Sequence, residues 1–134
     1  MTQAPVIVSG AGPVGLSLAC VLAEADLPVI VLEAEPALPT NLRASTFHPP
    51  TLDMLERFGA TEKLIAQGLI APTFQYRDRT GEKLGEFDFG ALADVVRHPY
   101  RLQCEQFKLN FALAEYLADR PTAAIRFGAE VAGV

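Results

Sequence analysis

The sequence predicts an α/β fold: a parallel sheet with crossover helices and an inserted β-hairpin. Three observations predict it. A β-branched run, Val6-Ile7-Val8, leads at once into a glycine-rich turn, Gly10-Ala11-Gly12-Pro13-Val14-Gly15. Val14, Leu18, Val21, Leu22 and Ala25 then recur at helical spacing, and a second apolar run, Val29-Ile30-Val31-Leu32, ends on Glu33. Strand, helix and strand in so short a stretch imply a crossover and therefore parallel strands. Strands covered on both faces read as continuous apolar runs rather than alternating ones, as these two do. The start of the chain is thus Rossmann-like.

The remaining elements follow from punctuation and periodicity. Residues 34–48 read as loop, with Pro36, Pro39 and Pro49 in the wider stretch. Pro49-Pro50 opens a helix through Leu52, Leu55 and Phe58, since proline is tolerated in a first helical turn. Gly59 ends it, and Thr61–Gln67 forms a further short helix closed by Gly68. A hairpin comes next: Thr73–Arg79, a turn at Thr80-Gly81, then Glu82–Phe89, with a bulge near Gly85 to shift the phase of the second arm. Gln103–Asp119 reads as a long helix stopped by Pro121. Phe107, Phe111, Ala114 and Ala118, with Leu113 and Leu117, make its apolar face, and Glu105, Lys108, Glu115 and Asp119 lie opposite. Ala124–Phe127 and Glu130–Val134 read as strands. The chain ends inside the last one, so residues 1–134 are expected to be the first part of a larger domain.

Composition narrows the function. Half of the 134 residues are apolar and a fifth are charged, which is incompatible with a disordered chain. Sixteen acids against eleven bases, with no Lys/Arg-rich run, exclude a nucleic-acid partner held by its phosphates. Cys20 and Cys104 stand alone in apolar contexts, without metal-site spacing, and read as two buried reduced thiols. The first apolar region is broken by Glu24, Asp26 and Pro28 and lacks a basic leader, so neither signal peptide nor membrane span fits. A cytoplasmic protein is expected. The apolar content is high for a free-standing domain of this size, so some apolar surface is expected to meet other protein, including a second copy in a homo-oligomer.

The first strand, turn and helix carry the clearest chemistry. Gly10 permits the tight turn out of the strand, Gly12 lets a pyrophosphate approach the backbone, and Gly15 lets the helix pack on the strand. Pro13 and Val14 open the helix, whose unpaired N–H groups and positive dipole end suit phosphate. Glu33 falls 18 residues after Gly15, at the tip of the second strand, where a carboxylate accepts hydrogen bonds from ribose hydroxyls. The unit therefore binds a dinucleotide. FAD and NAD share the pattern, while an acid that reads free hydroxyls disfavours NADP.

Several further segments resemble the FAD-dependent aromatic hydroxylases, flavoprotein monooxygenases of the phenol and p-hydroxybenzoate hydroxylase kind. They are VIVSGAGPVGLSLACVLA, VIVLEAEP with Ala34 after the acid, Arg43-Ala44 before HPPTLDMLERFG, and Tyr100–Glu105 before the long helix. The similarity covers essentially the whole chain. It implies an incomplete FAD/NAD(P)-binding fold, with Arg43 beside the FAD pyrophosphate or ribose, Gln103 at the ribityl or phosphate region, and Arg101 near the same cofactor. It further implies a hairpin directed at the substrate layer, NAD(P)H as reductant, O2 as oxidant and a small aromatic substrate. Two later family motifs, an Asp-Gly pair and a Gly-Asp pair, are absent, as is the main substrate layer. The 134-residue chain is therefore expected to be a fragment without turnover. No catalytic residue is identified: His48 and His98 precede prolines in loops, and Asp94, Arg97 and Tyr76 read as surface positions. Two other readings stay open, an NAD-linked dehydrogenase or reductase, and a non-catalytic nucleotide-binding module.

Overall fold

The computed structural model describes residues 4–133. The chain runs β1 (Val6–Ser9), α1 (Pro13–Glu24), β2 (Val29–Glu33), β3 (Thr46–Phe47), α2 (Pro49–Glu56), α3 (Ala60–Ile65), β4 (Leu69–Ala71), β5 (Thr73–Arg77), β6 (Lys83–Asp88), a 3₁₀ turn (Phe89–Leu92), β7 (Arg101–Gln103), α4 (Gln106–Ala118) and β8 (Ala123–Phe127). The expected parallel sheet is present, in the order β1-β2-β8. Val6 pairs with Val29, and Val29 in turn with Ala123, so the two apolar runs lie side by side, with β2 at the centre and β1 at an edge of the sheet.

Helix α1 sits tightly on β1. An added Cβ at Gly15 would lie 2.1 Å from the Gly10 carbonyl oxygen, a distance no side chain tolerates. Gly10 itself has φ +95°, the left-handed region that glycine enters without penalty. The buried face of α1 is Leu16, Ala19, Cys20 and Ala23, and the three small residues let the helix approach both the sheet and α4. Most of the apolar stripe read from the sequence faces the other way: Val14 is 81% and Leu18 48% exposed, Val21 is exposed as well, and Leu22 alone of its leucines and valines packs against the core. A helix that is apolar nearly all round leaves its inward face to be chosen by close approach rather than by hydrophobicity.

Beyond β2 the structure departs from the sequence reading in a consistent way. A second, antiparallel sheet, β3-β7-β4, is assembled from three very short strands. The sequence reads Thr46-Phe47 as loop and Gln103 as the start of a helix, and it assigns no element to Leu69–Ala71. The long helix instead begins at Gln106 behind Glu105, because β7 recruits residues 101–103 to fill the gap between β3 and β4. Its buried residues are Leu109, Asn110, Ala112, Leu113 and Leu117. Phe111 and Ala118, expected on the apolar face, are exposed, and Phe107 and Ala114 are half-buried. At the end of the chain, residues 130–133 are irregular, not a strand; Val134 lies outside the described residues.

The hairpin β5–β6 forms with its bulge: Tyr76 pairs with Gly85 but Arg77 with Lys83, leaving Leu84 as the extra residue. One hydrophobic core joins both sheets and all helices, with Leu16, Leu52, Leu64, Leu102 and Leu113 wholly inaccessible. The buried Thr61 hydroxyl donates to the Leu52 carbonyl at 2.5 Å, which ties α3 to α2. Cys20 and Cys104 are buried free thiols. Among the described residues, no helix is long and apolar enough to cross a membrane.

Candidate functional site

The turn between β1 and α1 is held from β2. The Gly10 amide donates to the Leu32 carbonyl at 2.7 Å, and the Ala11 amide donates to Glu33 Oε2 at 2.7 Å. The other carboxylate oxygen of Glu33, Oε1, accepts the Glu35 amide at 3.0 Å. These contacts hold its carboxyl below the usual carboxylate range. The Glu35 and Ala11 amides act most strongly, partial burial opposes them, and the Ala34 amide and the charge of Arg43 add smaller effects. Each oxygen keeps a second lone pair, so an ionised Glu33 retains acceptor capacity for a ligand hydroxyl.

Gly10, Gly12, Glu33 and Arg43, predicted from separate stretches of sequence, line one cavity of about 610 Å³. The first hydrogen bond of α1 runs from the Leu16 amide to the Gly12 carbonyl, at 2.9 Å. The amides of Val14 and Gly15 precede it and have no acceptor within the helix. An added Cβ at Gly12 would meet no atom within 4 Å, so the backbone there borders open space. Free amides, a helix dipole and an arginine suit a diphosphate, and a fixed carboxylate at the next strand tip suits ribose. The residues present fit a dinucleotide.

Pro13 and Val14 border a second, larger cavity of about 780 Å³ on the far side of the helix start, shared with Ser17, Thr46 and Gln106. Gln103 reaches its rim through Thr46, whose hydroxyl donates to Gln103 Oε1 at 3.0 Å. Arg101 lines neither cavity. Its guanidinium lies over the Phe74 ring, 4.9 Å from the centroid. Ala34 is exposed at the end of β2, and Gly15 is taken up by packing.

Two features escaped sequence reasoning. The Ala11 amide is the direct partner of Glu33, a role that its place inside the glycine motif alone suggests. Asp53 gathers the segment before β7: it accepts from the amides of Arg97 and His98, and its Oδ1 is 2.7 Å from His98 Nδ1. His98 thus stays a loop residue, but one anchored to α2. Arg97 pairs with Glu56 at 2.8 Å, and no local pattern signals either pairing.

The pattern of the FAD binding domain family matches residues 3–134. The chain is 35% identical over 126 residues to para-nitrophenol 4-monooxygenase of Pseudomonas sp. (strain WBC-3), covering 94% of this chain and 31% of that protein. It is 36% identical to 6-hydroxy-3-succinoylpyridine 3-monooxygenase of Pseudomonas putida, over 94% of this chain and 32% of the relative. The crystal structure of p-nitrophenol 4-monooxygenase from Pseudomonas putida DLL-E4 superposes with a TM-score of 0.86 at 35% identity, over 92% of this chain and 31% of that one. The chain spans about a third of the length of the curated relatives it matches. On a match that runs through both sheets and the glycine turn, the chain belongs to the FAD binding domain family, alongside FAD-dependent aromatic monooxygenases.

Proposed function

We propose that the chain is the FAD-binding portion of a monooxygenase that hydroxylates phenol-type substrates with NAD(P)H and O2. The carrying observation is the Glu33–Ala11 contact beside Gly12 and Arg43. It sets a ribose acceptor, the glycine turn and a cation around a single cavity, next to the start of α1. Bound FAD supplies the redox chemistry, and the protein contributes grip, orientation and electrostatics. In this reading Glu33 accepts from the adenosine ribose, while the Val14 and Gly15 amides and Arg43 hold the diphosphate. The cofactor then passes the helix start towards Thr46 and Gln103. The aromatic substrates named for both relatives support the substrate class. The groups collected here hold the adenosine-diphosphate half, so the 134-residue chain binds without turning over.

Titrating the chain with FAD, followed by quenching of flavin fluorescence with NAD as competitor, tests the proposal. FAD binding that NAD displaces poorly is the expected result. Tighter binding of NAD would place the chain with NAD-linked dehydrogenases, and binding of neither would leave a packing domain.

A further inference from the structure

A recess of about 550 Å³ lies where α4 packs beside β8, the edge strand of the parallel sheet. Ala114 and Ala118 of α4 line it together with Ala123 and Ala124 of β8, and the exposed rings of Phe111 and Phe127 border it. No residue of the lining has a polar side chain. Short alanine side chains leave room that larger residues would fill, and the volume is that of a small-molecule site.

The recess has a wall in common with the cavity of Glu33 and Arg43: Pro36, Ala37 and Leu38 line both. Leu38 packs against the core. The start of this loop is tied to both neighbouring strands. The Glu35 amide donates to Glu33 Oε1 at 3.0 Å, and the Glu35 carbonyl accepts the Gly128 amide at 3.0 Å. Phe127 is the ladder partner of Glu33, and the Ala129 amide donates to the Glu33 carbonyl at 2.8 Å. A group seated against Leu38 and Phe127 therefore acts on the residues that set the Glu33 carboxylate.

We propose that the recess between α4 and β8 is a second ligand site, for an uncharged hydrocarbon molecule, coupled to the dinucleotide cavity through the wall 36–38. A lining without polar groups offers a charged ligand nothing in place of its water, so only an uncharged one gains by entering. Removal of apolar surface from water drives that entry. A filled recess backs the loop in the position where the Glu35 amide meets Glu33, which is the arrangement the dinucleotide uses. Each ligand then tightens the other by the same factor. The coupling rests on the dinucleotide reading above, whereas the site itself does not.

The test titrates the full chain with toluene and with benzoate, which puts a charge on the same ring, and follows methyl resonances by NMR. The Ala114, Ala118, Ala124 and Ile125 methyl signals are expected to move with toluene and not with benzoate. Ala114→Leu fills the recess and should abolish the effect, while Met54→Gln, in the separate cavity beside α2, should leave it unchanged. Saturating toluene is expected to tighten FAD binding about fivefold. It should also slow hydrogen exchange at the Glu35 and Ala11 amides, a readout that needs no FAD. Equal binding of benzoate, signals that move at Val14 and Met54 instead, or unaltered exchange at Glu35 would overturn the proposal. Failure of FAD to bind the unaltered chain counts against the cofactor reading alone, because the titration and the exchange measurement without FAD still decide this one.

Discussion

Glu33 Oε2 and the Ala11 amide, 22 positions apart in sequence, meet at 2.7 Å and lock the tip of β2 to the glycine turn. One carboxylate thereby shapes the turn and presents its remaining lone pairs to the cavity. Changing it should affect fold and ligand together.

Glu33→Gln keeps the size of the side chain and removes the charge, and FAD affinity is expected to fall about tenfold. Its stability effect depends on pH with a definite sign. The folded-state pKa is depressed, so the contribution is fully present above the ordinary carboxylate range and is lost as pH falls through the folded value. Urea unfolding between about pH 7 and about pH 3 should show wild type losing more stability than Glu33→Gln. Parallel losses in the two proteins would remove Glu33 from the account.

Gly15 and Gly12 separate packing from binding. Gly15→Ala drives a methyl group against the Gly10 carbonyl and is expected to cost about 1–3 kcal/mol or more in a denaturant titration. Gly12→Ala adds a methyl group to open space, so stability should change by less than about 1 kcal/mol. FAD binding should nonetheless weaken, because that space is where a diphosphate approaches. Full FAD affinity in Gly12→Ala would contradict the placement.

Asp53 is expected to order the segment that leads into β7. Asp53→Ala removes the acceptor for the Arg97 and His98 amides and the partner of the His98 ring. Hydrogen exchange should then accelerate at those two amides while the α1 amides keep their protection. Uniform acceleration would mean a global loss of stability instead.

Burial pushes the Cys20 thiol up to about 12, and it raises that of Cys104 as well. Neither cysteine should react with iodoacetamide in the native protein at about pH 8, and both should react after unfolding in urea. Labelling of Cys20 in the native state would show that the α1–α4 interface opens.

What the sequence by itself determined lies where local physics decides. The β1–α1–β2 unit, the 18-residue step from Gly15 to Glu33 and the bulged hairpin were all legible. A left-handed turn needs glycine, buried strands need β-branched runs, and alternation reports a bulge within a few residues. The sheet β3-β7-β4 was not legible. Two- and three-residue strands carry no period of their own, and they exist because residues 46–47, 69–71 and 101–103 find one another across the chain. For the same reason Gln103 belongs to a strand, not to the helix that its neighbours suggested. The inward faces of α1 and α4, the meeting of Ala11 with Glu33 and the stacking of Arg101 on Phe74 were settled only in three dimensions. Each depends on which distant surface arrives to bury or pair a group, and no local spacing encodes that arrival.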